Sequence, residues 1–194
     1  MLDLDSLRAG FDGRLLGLTG APGVGKSTLA ARLASAWDAV VVPMDGFHLA
    51  DVELARRGLL DRKGAPETFD AEGYAALLAR VRGREPLVMA PSFERDLEQP
   101  IAGALPVTGS APLVVTEGNY LLLDEPRWQA VRAQLDAVWH LRVDPALRRS
   151  RLVARHVAFG KSPDEAEAWV RAVDDPNAAL VEAAAERADL VIDL

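Results

Sequence analysis

The chain has 194 residues, 49% of them hydrophobic, which fits one large domain spanning residues 1–194 better than two small ones. A formal net charge of −7 with no basic run argues against a nucleic-acid partner, and the lack of cysteine excludes disulfides, thiolate catalysis and Cys-ligated zinc. With no basic leader and no run of roughly 18 apolar residues, the expectation is a cytoplasmic protein that does not enter a membrane.

Strand-like and helix-like segments then alternate. Residues 14–19 are a short apolar run leading to a glycine, and residues 27–37 follow with Leu29, Leu33 and Trp37 on one helical face. Residues 39–44 are a continuous valine-rich run, the pattern of a strand buried on both faces. Tyr74, Leu77, Leu78 and Val81 predict a helix over 71–82. Residues 88–107 break the rhythm and read as an inserted hairpin or excursion. Buried strands are predicted at 113–116 and 138–143. Pro145 opens a helix reaching 159, in which Ala146, Ser150, Val153 and Val157 form a face that could pack inward. Pro163 and Pro176 open two more helices, to 173 and 188, and residues 190–194 close the chain as a strand. This alternation predicts an α/β fold, a parallel sheet with helices on both faces in three α/β/α layers.

Gly20-Ala21-Pro22-Gly23-Val24-Gly25-Lys26-Ser27, followed by Thr28, matches G-x-x-x-x-G-K-S/T completely. A buried strand precedes it and an amphipathic helix follows, which weighs against a glycine-rich turn with a chance lysine. The glycines let backbone N–H groups converge on phosphate oxygens, and the helix N-terminus adds partial positive charge there. Lys26 is expected to reach the β- and γ-phosphates and the Ser27 hydroxyl to ligate Mg²⁺. The loop alone specifies a nucleoside triphosphate and does not separate a kinase from a switch GTPase or a motor.

Asp45 follows the second strand, at the strand end where open α/β sheets bind ligands. A carboxylate there can take the proton of an acceptor hydroxyl and aim it at the γ-phosphate; the alternative is a turn aspartate beside Gly46. His48 either lines the same pocket or is a packed or capping histidine. Glu117 ends the strand at 113–116, the place of an acidic metal-supporting residue. Arg148, Arg151 and Arg155 share a helix face, which would suit charge neutralisation in a mobile lid or simply be solvated.

Gly20 to Thr28, Met44-Asp-Gly-Phe-His48, Arg62-Lys-Gly-Ala-Pro-Glu-Thr-Phe-Asp70, Thr116-Glu-Gly-Asn119 and Arg151-Leu-Val-Ala-Arg-His156 occur in that order. Together they resemble the phosphoribulokinase/uridine kinase superfamily of P-loop kinases, which includes the bacterial type of pantothenate kinase. Its branch of nucleoside- or sugar-kinase-like proteins, some called fructose transport system kinases, looks most similar. The resemblance implies a P-loop NTPase fold with a small lid, ATP as donor, Mg²⁺, and transfer to a primary hydroxyl of a small metabolite. It also implies Asp45 as the catalytic carboxylate, Glu117 at the metal and Arg151 and Arg155 as lid arginines. Arg62 and Lys63 become candidates to touch the acceptor, and Asn177 falls where the family approaches the adenine edge. Uridine kinases carry a tyrosine- and histidine-containing motif where this chain has Pro91-Ser-Phe-Glu-Arg-Asp96, which loosens the case for a pyrimidine nucleoside. The expected function is an ATP-dependent kinase of a nucleoside, sugar or pantothenate-like acceptor, with a homodimer left open. The rival is a P-loop switch ATPase, against which stands the absence of an Asn-Lys-x-Asp guanine signature.

Overall fold

In the computed structural model, which describes residues 2–194, the phosphate-loop motif connects a buried strand to the helix that it starts. The first half of the chain forms α1 (Leu4–Ala9), β1 (Leu15–Thr19), α2 (Lys26–Trp37), β2 (Ala39–Pro43), α3 (Asp51–Arg57) and α4 (Ala71–Arg82). A hairpin, β3 (Leu87–Glu94) and β4 (Gln99–Thr108), leads to β5 (Leu113–Glu117), α5 (Pro126–Arg132) and β6 (Ala137–Arg142). The chain ends with α6 (Pro145–Ala158), α7 (Pro163–Trp169), α8 (Asp175–Ala183) and β7 (Leu190–Asp193).

Five strands pair in parallel in the order β2-β5-β1-β6-β7, and β3 pairs only with β4, antiparallel. Along β1 successive side chains enter opposite layers. Leu15 joins Val114, Val138 and the Tyr74–Leu78–Val81 face of α4, while Leu16 and Leu18 join Leu29 and Leu33 of α2. Burying each such large side chain is worth about 1.5–3 kcal/mol, so the layers are held by area rather than by any single contact. The result is the three-layer α/β/α arrangement that the alternation predicts. Because the strands run parallel, the loops after β1, β2 and β5 emerge at one sheet edge, which brings the phosphate loop, Asp45 and Glu117 together. Among the described residues no helix is long and apolar enough to cross a membrane.

Three local readings need correction. The run at 39–44 is not buried on both faces throughout, because β2 is an edge strand and within it Val42 is the one fully buried residue. Its valines are still needed, since Val40 packs on one layer and Val41 on the other; the open edge admits the solvent. In α6 the expected inward face is outward, with Ala146, Ser150 and Val157 exposed, and Leu152 is the residue that docks. The helices expected at 163–173 and 176–188 are joined through a π-turn over Val170–Asp174. Pro176 has no N–H to donate and its ring disturbs the preceding turn, and a wider turn lets the helical path pass it.

His140 in β6 is fully buried, with Nε2 3.3 Å from Glu182 Oε2 and no partner for Nδ1 among the described residues. Burial holds its pKa below the ordinary histidine value, against the pull of Glu182. The unfolded chain therefore binds this proton more readily, and stability falls as pH drops below about 6.5. Denaturant unfolding of the wild type is expected to show this decline between about pH 7 and pH 5, and His140→Gln to flatten it. Equal slopes for the two proteins would place the acid sensitivity elsewhere.

Candidate active site

The phosphate loop is shaped by glycines whose conformations other residues resist. Gly23 and Gly25 have φ of 83° and 110°. A Cβ on Gly23 would stand 2.7 Å from Leu152 Cγ and 3.0 Å from the Arg148 carbonyl, so loop and α6 are in direct contact. Gly25 caps α2, whose first N–H groups lack intrahelical acceptors and form an anion site. Lys26, 8% exposed, donates from Nζ to the carbonyls of Gly20 at 2.8 Å and Ala21 at 3.1 Å. Its burial lowers the amine pKa to about 8, although Glu117 and Asp45 pull the other way. Ser27 Oγ donates to Glu117 Oε1 at 3.0 Å. Glu117, at the end of β5 and equally buried, has its pKa raised by burial and by Asp45, opposed by Lys26 and Ser27.

A hydroxyl and a buried carboxylate already in contact are hard oxygen donors of the kind Mg²⁺ accepts beside substrate phosphates. No cluster of three or more His, Cys, Asp or Glu suited to a metal occurs among the described residues.

Asp45 stands in a one-turn 3-10 helix, Met44–Phe47, directly after β2. At Gly46 a Cβ would lie 2.6 Å from the Pro91 carbonyl, so the β3–β4 hairpin packs onto this turn. That packing delivers Arg95, whose guanidinium donates to Asp45 Oδ2 at 3.4 Å. His48 Nδ1 donates to the Asp45 carbonyl at 2.8 Å, and its ring lies 4.0 Å from Phe69 and 4.8 Å from Phe93. Burial lowers the His48 pKa, which keeps the ring neutral at physiological pH. Lys63 Nζ bonds Asp51 Oδ1 at 2.7 Å and the Glu98 carbonyl, and lies over the Phe93 ring.

A cavity of about 880 Å³ joins these groups, lined by the phosphate loop, Asp45, His48, Lys63, Glu117, Arg151, Arg155 and Asn177. Arg151 bonds the Val24 carbonyl at 3.4 Å, and the Arg155 guanidinium has no hydrogen-bond or ion-pair partner among the described residues. Arg148 is fastened away from the cavity by Asp175 at 2.8 Å and the Pro22 carbonyl. Arg62 is not brought in: it is 60% exposed and pairs with Glu67 at 2.6 Å. Asn177 is 6% exposed and donates to the Gly64 carbonyl at 3.4 Å, which sets it against the segment carrying Lys63.

No family model matches this chain. A Schizosaccharomyces pombe protein provisionally named a uridine kinase is 36% identical over 171 residues, 81% of this chain and 72% of that protein. The chain belongs to the P-loop uridine kinase/pantothenate kinase-like superfamily. A pantothenate kinase of Limosilactobacillus reuteri is 35% identical over 67% of this chain and 44% of its own length. A crystal structure of a Silicibacter protein provisionally named a fructose transport system kinase superposes with a TM-score of 0.90. It is 42% identical and covers 99% of this chain and 100% of that one. As a member of this superfamily the chain is an ATP-using kinase acting on hydroxyl groups of small molecules.

Arg95 and Asp51 line the kinase cavity, and sequence motifs single out neither. Arg95 comes from the hairpin turn, far along the chain from Asp45, and the only signal was the departure of Pro91 to Asp96 from the uridine-kinase pattern. Asp51 begins a short helix and shows its use only through Lys63.

Proposed function

We propose that residues 1–194 act as one kinase domain that transfers the γ-phosphoryl group of ATP, with Mg²⁺, to a hydroxyl of a nucleoside, sugar or pantothenate-like metabolite. The observation that carries this reading is Asp45, a carboxylate facing the same cavity as the phosphate loop. A nucleotide switch has no use for a base there, whereas an acceptor hydroxyl needs one. Lys26 and the loop amides hold the phosphates. Ser27 and Glu117 would hold Mg²⁺, which when bound neutralises charge on the β- and γ-phosphates. Asp45 accepts the proton of the acceptor hydroxyl and orients it in line. Arg151 and Arg155 meet charge on the transferring group as α6 closes. Asn177, which lines the same cavity and donates to the Gly64 carbonyl, approaches the adenine edge of the bound nucleotide. Most of the rate comes from positioning and electrostatics, since the reaction asks little covalent chemistry of the protein.

The test is ADP formation with and without a panel of nucleosides, sugars and pantothenate. A kinase turns over many times faster with one of them and yields its phosphoester. Turnover indifferent to every acceptor would favour the switch. For the lid, Arg155→Ala is expected to lower kcat by about tenfold or more while ATP affinity changes less, with Arg155→Lys restoring little. An Arg155→Ala enzyme with wild-type kcat would return this residue to the solvated surface.

A further inference from the structure

The aromatic rings of the acceptor half of the cavity, Phe69 and Phe93, already pack against other side chains. Phe69 is 2% exposed and packs on His48, Tyr120 and Trp128. Phe93 carries His48 at 4.8 Å, with Lys63 Nζ and the Arg95 guanidinium over its ring at 5.6 and 6.0 Å. The other aromatic side chains of the cavity, Phe159, Trp169 and His156, belong to the end of α6 and to α7. A base recognised by stacking needs an open ring face beside the phosphorylated hydroxyl, and here Phe69 is buried while His48, Lys63 and Arg95 already stand against Phe93.

Fixed charge is also matched within the protein. Lys63 pairs with Asp51 at 2.7 Å and Arg95 with Asp45 at 3.4 Å, and Glu98 adds a further carboxylate to this part of the lining. An anionic acceptor would find Lys63 and Arg95 already engaged by carboxylates of the protein and would meet those carboxylates at a Coulombic cost.

Unused neutral hydrogen-bonding capacity remains. The Asp45 carbonyl can only accept, so His48 carries its proton on Nδ1. That leaves the Nε2 lone pair without a partner among the described residues, on a side chain that lines the cavity. Arg95 keeps N–H donors beyond the one aimed at Asp45, and the paired carboxylates keep lone pairs. Donors and acceptors standing together suit a ligand whose every polar group both donates and accepts, which is the property of a hydroxyl.

We propose that the acceptor is a neutral polyhydroxylated molecule, a sugar or polyol, which presents one hydroxyl to Asp45 and donates a second to Nε2 of His48. This rests on the kinase reading above and narrows it. A site that holds a hydroxyl with an otherwise unpaired acceptor rejects analogues lacking that group, because Nε2 is then buried without a partner.

The experiment measures phosphoester formation by the full chain with Mg-ATP and three classes of acceptor. They are neutral hexoses, pentoses and hexitols; uridine, cytidine and adenosine; and the hydroxy acids glycerate, gluconate and pantothenate. A neutral sugar or polyol is expected to give the highest kcat/KM, by about tenfold or more over the other classes. Its deoxy analogue lacking the second hydroxyl is expected to lose about tenfold to a hundredfold on the wild type, and much less on His48→Phe and on His48→Leu. A nucleoside or hydroxy acid that equals or exceeds the best neutral sugar would overturn this proposal and leave the kinase reading standing. Phosphoester from none of the classes, with ATP turnover unchanged by all of them, would overturn the kinase reading and this proposal with it. A deoxy penalty of equal size in the wild type and in a folded His48 variant would remove His48 from the recognition.

Discussion

Asp45→Asn is expected to leave Mg-ATP affinity within a few-fold of wild type and to lower acceptor phosphorylation by about a hundredfold or more. The substitution keeps the shape of the side chain and removes its charge and basicity. Nucleotide binding is spared because Lys26, Ser27 and Glu117 hold the phosphate side without it. The charge of Asp45 also helps keep the Glu117 pKa raised, so its loss leaves Glu117 more readily ionised and more available to a cation. Stability changes little, since the Arg95–Asp45 pair is 3.4 Å long and its side chains are 43% and 32% exposed. Calorimetry for nucleotide and turnover with and without acceptor make a paired assay. Acceptor-dependent turnover within a few-fold of wild type would reduce Asp45 to a turn residue and make Glu117 the next candidate base.

Lys26→Ala produces the second large effect, and on the other substrate. Among the described residues the amine is the single buried cation at the phosphate loop, and bound phosphates would take its donors from the Gly20 and Ala21 carbonyls. Without it turnover is expected to fall by about 100- to 1,000-fold, the range for losing one preorganised electrostatic group, and ATP affinity to fall with it. The fold survives. Truncation frees those carbonyls at a cost of about 1–3 kcal/mol, offset in part because a charge whose burial already lowers its pKa is removed. Circular dichroism and thermal unfolding report the fold, and nucleotide titration reports the site. Unchanged affinity together with unchanged turnover would sink the assignment of this loop to ATP.

Much of the architecture was legible because the deciding forces were local or periodic. The phosphate loop needs φ-permissive glycines in sequence, so the motif alone marked it, and the apolar face Tyr74–Leu77–Leu78–Val81 marked α4 to its last residue. The hairpin announced itself by interrupting the βα rhythm. The helices α3 and α5 escaped notice because seven residues make about two turns, too few for a period to show.

What the sequence by itself determined is a loop built for nucleoside triphosphates and the strand ends on which the candidate groups sit: Lys26 and Ser27 after β1, Asp45 after β2 and Glu117 closing β5. These positions follow from chain order once strands run parallel, since every strand then delivers its carboxyl end to one edge. Tertiary structure alone decided which face of α6 turns inward, because Leu152 must fill the space left by Gly23. It decided that Lys63 enters the cavity and its neighbour Arg62 does not, through Asp51 and Glu67 drawing them apart. It also decided that Arg95, 50 residues beyond Asp45, stands beside it. Contacts of that kind depend on how a hairpin packs on a turn, and no spacing within either segment encodes the distance between them.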